Sequence, residues 1–233
     1  MKRDQTIVLV ILGVVVIFAV SRRVVTSQML LLIGVAIPSI ILHEVSHGVA
    51  ALAFGDTTAK EAGRLTLNPI RHVDLFGTIL LPAMLAVSGL GVFGYAKPVP
   101  VNPSKMRNPR DDAVFTSLAG PATNVLLAVL AGLWLHHELH RVPVSLADGP
   151  WRLRILLALG FINVVLAIFN LIPIPPIDGS AVVERFMPKS WVNGWSSLRK
   201  YGLLILIAIV LLDPKAVGHV YSPAVNLWLR LVR

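Results

Sequence analysis

The sequence predicts an all-α polytopic membrane protein of about five or six transmembrane helices, with a re-entrant or extended, β-like loop region near a candidate site. Of the 233 residues, 55% are hydrophobic and 14% are charged, and the mean hydropathy is +0.76. This composition leaves no room for a sizeable separate soluble domain. Apolar runs, some of them short for a full crossing, recur at 5–21, 28–54, 76–95, 113–135, 152–172 and 201–212.

These runs predict one integral membrane domain over residues 1–233, with its core at 28–190. A helix over 5–21 and C-terminal helices within 201–233 are accessory to that core. The first run follows a basic start and lacks a small-x-small cleavage site, so we interpret it as a retained helix and not as a signal peptide. The final stretch, 216–233, is interpreted as a further hydrophobic or interfacial helix.

The net charge and the cysteine count limit the binding partners and the metal ligands that the chain can have. The net charge of +9 could indicate nucleic acid, but no basic stripe with interleaved aromatic residues occurs. We therefore assign the Lys and Arg residues to loops that face anionic lipid, and we expect no nucleic-acid partner. Because the chain has no cysteine, any metal site must use His, Asp or Glu.

The strongest motif is His43-Glu44-Val45-Ser46-His47, an H-E-x-x-H pattern inside the second apolar run. On a helix, residues i and i+4 share one face, so both imidazoles can reach one metal ion. Glu44 lies beside them and can act as a general base on water. Ionisable residues at membrane depth are costly and usually mark function. The pattern therefore predicts zinc-dependent peptide hydrolysis within the bilayer.

A catalytic zinc site needs a third protein ligand, and the main candidate is Asp178. It follows the run 152–172 at a break made by three prolines, beside Gly179, which we expect to permit an unusual backbone angle. The alternative is a turn aspartate that caps the next helix, from Ser180, and both interpretations stay open at this point. Rival metal ligands are His72, Asp74, Asp56 and Glu184, and a cluster of His136, His137, Glu138 and His140.

The ligands can meet only if the runs 28–54 and 152–172 end at the same side of the membrane. A full crossing by 76–95 would separate these ends, so we expect 76–95 to be re-entrant, since irregular backbone is tolerated where it lines a cavity. With a cytoplasmic N-terminus, this topology places more Lys and Arg on the cytoplasmic side and the site towards that side.

Two loops flank the run 76–95. The alternating Arg64-Leu65-Thr66-Leu67 predicts a short strand. The proline-rich segment that begins at Ala96 can form only an extended or edge segment. Either segment could pair with an unwound substrate strand or form a self-contained hairpin, and Pro98 and Pro100 would limit pairing on one strand.

Three motifs, in order, resemble the site-2 protease family of intramembrane zinc metalloproteases: HEVSHGVAA from His43, SLAGPATN at 117–124 and FNLIPIPPIDG at 169–179. GRLTLNP and GYAKPVPVNP are similar to the compact prokaryotic subgroup without PDZ or CBS domains. The resemblance covers residues 28–190. The sequence departs from the family at Gly48, where many members have alanine, and at Ile177, where leucine is common.

The resemblance implies a zinc metalloendopeptidase, with one Zn²⁺ ion, that performs regulated intramembrane proteolysis within or near transmembrane segments of membrane-anchored substrates. The implied partners are the bilayer and a single-pass protein such as an anti-sigma factor or a membrane-tethered regulator. The implied location is the prokaryotic plasma membrane, as a multi-pass protein. The implied site consists of the zinc ligands His43, His47 and Asp178, the general base Glu44, and Asn124 and Asn170 as substrate or oxyanion contacts.

Two other functions agree less well with the sequence. A metal transporter or channel would spread charged residues through several helices, whereas here they cluster on two segments. An inactive relative that only binds membrane proteins has no support, because all the expected catalytic residues are present.

Overall fold

A computed structural model describes residues 26–74, 77–78, 96–141, 149–191 and 212–233, with scattered positions between 194 and 208. The regular structure within these residues is helical and includes no strand, so the all-α prediction holds for them. Single turns of 3₁₀ helix occur at Pro69–Arg71, Pro103–Lys105 and Lys189–Trp191. The helices are α1 (Ser27–Ala53), α2 (Thr58–Glu61), α3 (Pro109–Arg141), α4 (Trp151–Asn170), α5 (Ser180–Phe186) and α6 (Pro214–Val232).

Three of these helices, α1, α3 and α4, are long and apolar enough to cross a membrane. They correspond to the predicted runs 28–54, 113–135 and 152–172. The expected terminal helix is present as α6. The count of five or six transmembrane helices stays a prediction, because 5–21 and most of 76–95 and 201–212 lie outside the described residues.

Local chemistry sets the limits of α1. The Thr26 hydroxyl accepts a hydrogen bond from the backbone N–H of Met29 at 3.2 Å, which satisfies one of the free donors of the first turn. At the other end, the N–H of Phe54 bonds to the carbonyl of Ala50 at 3.1 Å. Gly55 then adopts a φ of 104°, a left-handed conformation that favours glycine, and the helix stops there.

The end of α1 lies beside the start of α3. The backbone N–H of Arg107 donates to the carbonyl of Phe54 at 3.1 Å, and the rings of Phe54 and Phe115 lie 6.1 Å apart. Helix α3 therefore returns along α1. The flanks of 75–95 also meet, because the N–H of Lys97 donates to the carbonyl of His72 at 2.9 Å. Apart from 77–78, residues 76–95 lie outside the described part of the chain, so their re-entrant path stays a prediction.

Helix α6 packs on α3 and α4 through Trp228. The indole is 8% exposed, and its Nε1–H donates to the carbonyl of Ala128 at 2.9 Å. Gly160 on α4 leaves the space for the ring, since a Cβ there would overlap it. Leu135 and Leu153 also belong to this core, which lies towards the C-terminal end of α3.

The strand predicted at Arg64–Leu67 is wrong, because this segment forms bends without a ladder partner. Its backbone groups bond locally: the N–H of Arg64 donates to the carbonyl of Ala59 at 2.9 Å, and the carbonyl of Thr66 accepts from His72 Nε2 at 2.8 Å. Residues 97–102 have no regular structure before the turn at Pro103–Lys105. We call residues 97–102 the strap.

Candidate metal and catalytic site

His43, His47 and Asp178 come together as a group that could hold a metal ion. His43 Nε2 lies 3.1 Å from Asp178 Oδ2, His47 Nε2 lies 3.3 Å from the same oxygen, and the two Nε2 atoms are 3.0 Å apart. Tetrahedral zinc with ligands at about 2.0–2.1 Å holds its donor atoms about 3.3 Å apart. The set of two nitrogens and one oxygen therefore fits zinc and leaves a fourth position for chemistry.

The outer nitrogen of each histidine is also bonded, and this sets the tautomer. His43 Nδ1 lies 2.5 Å from Asn124 Oδ1, and His47 Nδ1 lies 2.8 Å from the carbonyl oxygen of Thr116. Both oxygens can only accept, so each Nδ1 carries the hydrogen and donates it. In the neutral rings each Nε2 therefore keeps a free lone pair, as metal binding requires.

A buried chain of amides stands behind His43. Asn124 is fully buried, and its Nδ2 donates to Asn163 Oδ1 at 2.7 Å. Asn163 in turn donates to Ser39 Oγ at 2.9 Å. The chain joins α1, α3 and α4 and holds the His43 ring from outside the metal position. None of the sequence motifs includes Asn163, although an amide in the middle of the apolar run 152–172 could have indicated it.

Gly120 lets α3 approach the histidines closely. A Cβ at this position would lie 2.5 Å from His47 Nε2 and 2.6 Å from His43 Cε1. The glycine of the SLAGPATN motif is therefore required by space. This requirement was missed in the sequence, where a glycine in a helix has many explanations.

Asp178 reaches the histidines from a braced loop after α4. The N–H of Gly179 donates to the carbonyl of Asn170 at 2.7 Å, and Ser117 Oγ donates to the carbonyl of Asp178 at 2.8 Å. The side chain of Asp178 makes no cap on α5, whose N-cap is Gly179. The unusual angle expected at Gly179 is wrong: its φ is −57°, and the glycine is needed because a Cβ would collide with the carbonyl of Leu171.

The charge state of Asp178 suits a metal ligand. Burial by itself would raise the pKa of this carboxyl, but His43 and His47, when they are protonated on Nε2 as well, donate to it, and these bonds and the positive charges of the rings hold the pKa below its usual value. Asp178 is therefore a carboxylate at neutral pH, which is the form that binds zinc.

Glu44 lies on α1 directly after His43 and is half-buried. Its Oε2 accepts a hydrogen bond from the backbone N–H of Val99 in the strap at 2.8 Å. The strap thus touches the candidate general base itself, a contact that no sequence motif predicted.

The rival metal ligands are engaged elsewhere. His72 is buried and bonds to Thr66, and Asp56 accepts hydrogen bonds from the backbone N–H groups of Thr58 and Asn102. His136 Nε2 lies 3.1 Å from His140 Nε2, and His136 Nδ1 donates to the carbonyl of Val232, towards the far end of α3 from the metal group.

Asn124 and Asn170 were expected to contact substrate or the oxyanion. Asn124 is bonded to His43 and Asn163, and Asn170 Nδ2 donates to the carbonyl of Leu166 at 2.9 Å within α4. The substrate contacts of both residues stay predictions.

Comparison with known proteins finds similarity to one peptidase family and to proteins named as zinc metalloproteases. Residues 143–212, a region that contains Asp178, match Peptidase family M50. The chain is 38% identical over 185 residues to a Bacillus subtilis (strain 168) protein named "Putative zinc metalloprotease YwhC", and the match covers 78% of this chain and 81% of that protein.

Proteins named "Putative zinc metalloprotease Rip2" are also similar. Those of Mycolicibacterium smegmatis and Mycobacterium tuberculosis H37Rv are each 30% identical to the chain, over 82% of this chain and 66% of their own length. No solved structure matches the chain significantly.

Proposed function

Because the chain belongs to peptidase family M50, the site-2 proteases, and is a zinc-dependent metalloprotease of the membrane, we propose that it cuts peptide bonds within or near transmembrane segments of membrane-anchored proteins. The observation that carries the proposal is the junction of His43 and His47, on one apolar helix, with Asp178, just after another. A soluble peptidase does not require metal ligands that lie on or beside helices able to span a bilayer.

The residues of the site have separate tasks in this mechanism. When bound, one zinc ion would polarise the scissile carbonyl and lower the pKa of water to about 7. His43, His47 and Asp178 would hold that ion. Glu44, the only carboxylate on α1, takes the proton of the attacking water and passes it to the leaving nitrogen.

Asn124 orients the His43 ring in our proposal, because its amide oxygen accepts the Nδ1 hydrogen from outside the metal position. A second role at the oxyanion would require the amide to reach past His43 or to release Asn163. Asn170 shapes the Asp178 loop through its carbonyl, which accepts from Gly179.

The proposed substrate is a single-pass membrane protein, of the class of anti-sigma factors or membrane-tethered regulators, whose cleavage constitutes regulated intramembrane proteolysis. A helical substrate has its backbone groups bonded internally, so it must unwind locally before its carbonyl can reach the site. We further propose that the protein is a multi-pass protein of a prokaryotic plasma membrane with its site towards the cytoplasm, as the distribution of Lys and Arg favours.

The test uses purified full-length protein in liposomes with a panel of single-pass reporter proteins, with and without a zinc chelator. We expect the wild type to cleave at least one reporter and to lose this activity with chelator. Glu44→Gln should retain one zinc ion per chain and lose about 100-fold or more of the activity, because only the proton transfer is removed. Asp178→Ala should lose zinc.

Two results would contradict the proposal. Cleavage that survives Glu44→Gln would exclude Glu44 as the base, and unchanged zinc content in Asp178→Ala would exclude the third ligand. Reporters truncated to soluble peptides test the membrane requirement, since equal cleavage of both forms would remove the intramembrane part of the proposal.

A further inference from the structure

The strap presents a single backbone donor to the candidate general base. In the Pro98-Val99-Pro100 triplet, both prolines lack an N–H, so the N–H of Val99 is the only one available. It donates to Glu44 Oε2 at 2.8 Å. The Val99 side chain is 7% exposed and contacts α1 at Gly48, one turn after Glu44, where a Cβ would lie 3.0 Å from Val99 Cγ1.

The strap is held in this position from three directions. The N–H of Lys97 donates to the carbonyl of His72 at 2.9 Å, and the N–H of Asn102 donates to Asp56 Oδ2 at 2.6 Å. Between them, Arg64 Nη2 donates to the carbonyls of Lys97 at 2.6 Å and Pro98 at 3.3 Å. The two carbonyls that Arg64 binds belong to the two residues before Val99, whose N–H binds Glu44.

The burial of Arg64 indicates that its hydrogen bonds to the strap serve a function other than stabilising the fold. Arg64 is 7% exposed, its Nε has no hydrogen-bond partner within the described residues, and none of the ion pairs found there involves it. A buried guanidinium that lacks a carboxylate partner is costly compared with an apolar side chain of similar size. Its hydrogen bonds indicate that Arg64 functions by fixing the carbonyls of Lys97 and Pro98 in the strap.

We propose that the Val99 amide positions Glu44 for proton transfer, and that Arg64 is a positioning residue that acts through the strap. With Oε2 fixed by Val99, the other carboxylate oxygen is left to take the proton from water. A substrate strand that paired with the Val99 N–H would release Glu44, so productive pairing must use other donors. The inference rests on the proposed function, because it assigns a partner to the base of that reaction.

The test measures zinc content, KM and kcat on a reporter that the wild type cleaves. Val99→Pro removes the N–H while leaving Glu44 and the metal ligands in place, and Val101→Pro is its control, since it adds a proline to the same strap without touching that bond. Arg64→Met removes the hydrogen bonds to the strap carbonyls, and Arg71→Met is its control at an exposed position nearby. Arg64→Lys keeps a charged donor.

We expect Val99→Pro and Arg64→Met to keep full zinc occupancy and a KM within about twofold of the wild type, while kcat falls about 10–100-fold, the scale of a displaced catalytic group. The controls should match the wild type, and Arg64→Lys should recover part of the lost kcat. If Val99→Pro does not fold, the arginine series decides by itself.

Three outcomes would overturn the inference: wild-type kcat in Arg64→Met, equal losses in Val99→Pro and Val101→Pro, or a loss confined to KM. A failure of the proposed function is distinguishable, because in that case the wild type itself would cleave no reporter.

Discussion

Replacing Gly120 by alanine should empty the metal site without changing any ligand. The added Cβ would lie 2.5 Å from His47 Nε2, whereas ordinary contacts begin at 3.4 Å, so the ring would have to move by about 0.9 Å. Metal–ligand distances tolerate about 0.2 Å, and both rings are tied at Nδ1. We therefore expect zinc affinity to fall by at least about 100-fold, equivalent to about 2.7 kcal/mol.

The matched control is Gly34→Ala on α1, where a new Cβ would meet nothing within 4 Å. Both substitutions raise helix propensity by about 1 kcal/mol, so a difference between them reports the contact with the histidines. Zinc affinity is measured by competition with a chromophoric chelator, and folding by the thermal midpoint of the metal-free protein. If Gly120→Ala bound zinc within about threefold of Gly34→Ala, the close approach of α3 to the histidines would be wrong.

Two further predictions concern residues around the site. Asn124→Leu should weaken zinc binding about 10–100-fold, because His43 Nδ1 loses its hydrogen-bond acceptor. Asn226→Leu, at an exposed position, should leave zinc binding unchanged. Equal zinc affinities of the two variants in the chelator assay would refute the positioning role of Asn124. Burial raises the pKa of Asp56, but hydrogen bonds from Thr58 and Asn102 lower it more, so the folded-state pKa lies below its ordinary value. The stability that ionised Asp56 contributes is present above about pH 4 and is lost as the pH falls through the folded-state pKa. The difference in thermal midpoint between the wild type and Asp56→Ala should therefore stay constant from pH 5 to 7 and narrow as the pH falls below about 4.

Much of the site could be predicted from the sequence because it rests on short-range periodicity. The spacing of His43 and His47 places both on one face of a helix whatever the rest of the chain does. Asp178 was harder: the sequence left capping of the next helix as an equal alternative. The structure places its carboxylate on the histidines, since the loop is closed by Gly179 and braced by Ser117.

The surroundings of the site could not be predicted, because they depend on which helix faces come together. The role of Asn163 follows only from the packing of α4 against α1 and α3, which brings its side chain to Asn124 and Ser39. The alternation at Arg64–Leu67 has the period of a strand, yet no partner strand lies beside it in the described residues, and Arg64 turns to the strap instead.

The sequence by itself determined the apolar surroundings, the helical class and the pair of histidines that could share one metal ion, while the position of Asp178 beside them came from the tertiary structure. Apolar runs of this length have few alternatives in a bilayer, and histidines with this spacing need only one helix to converge. The tertiary structure alone decided what holds those ligands in place: Asn124 behind His43, Gly120 against both rings, and the Val99 amide on Glu44. These are contacts between segments that are 50 or more residues apart in the chain, and no local pattern encodes the distance between two packed backbones.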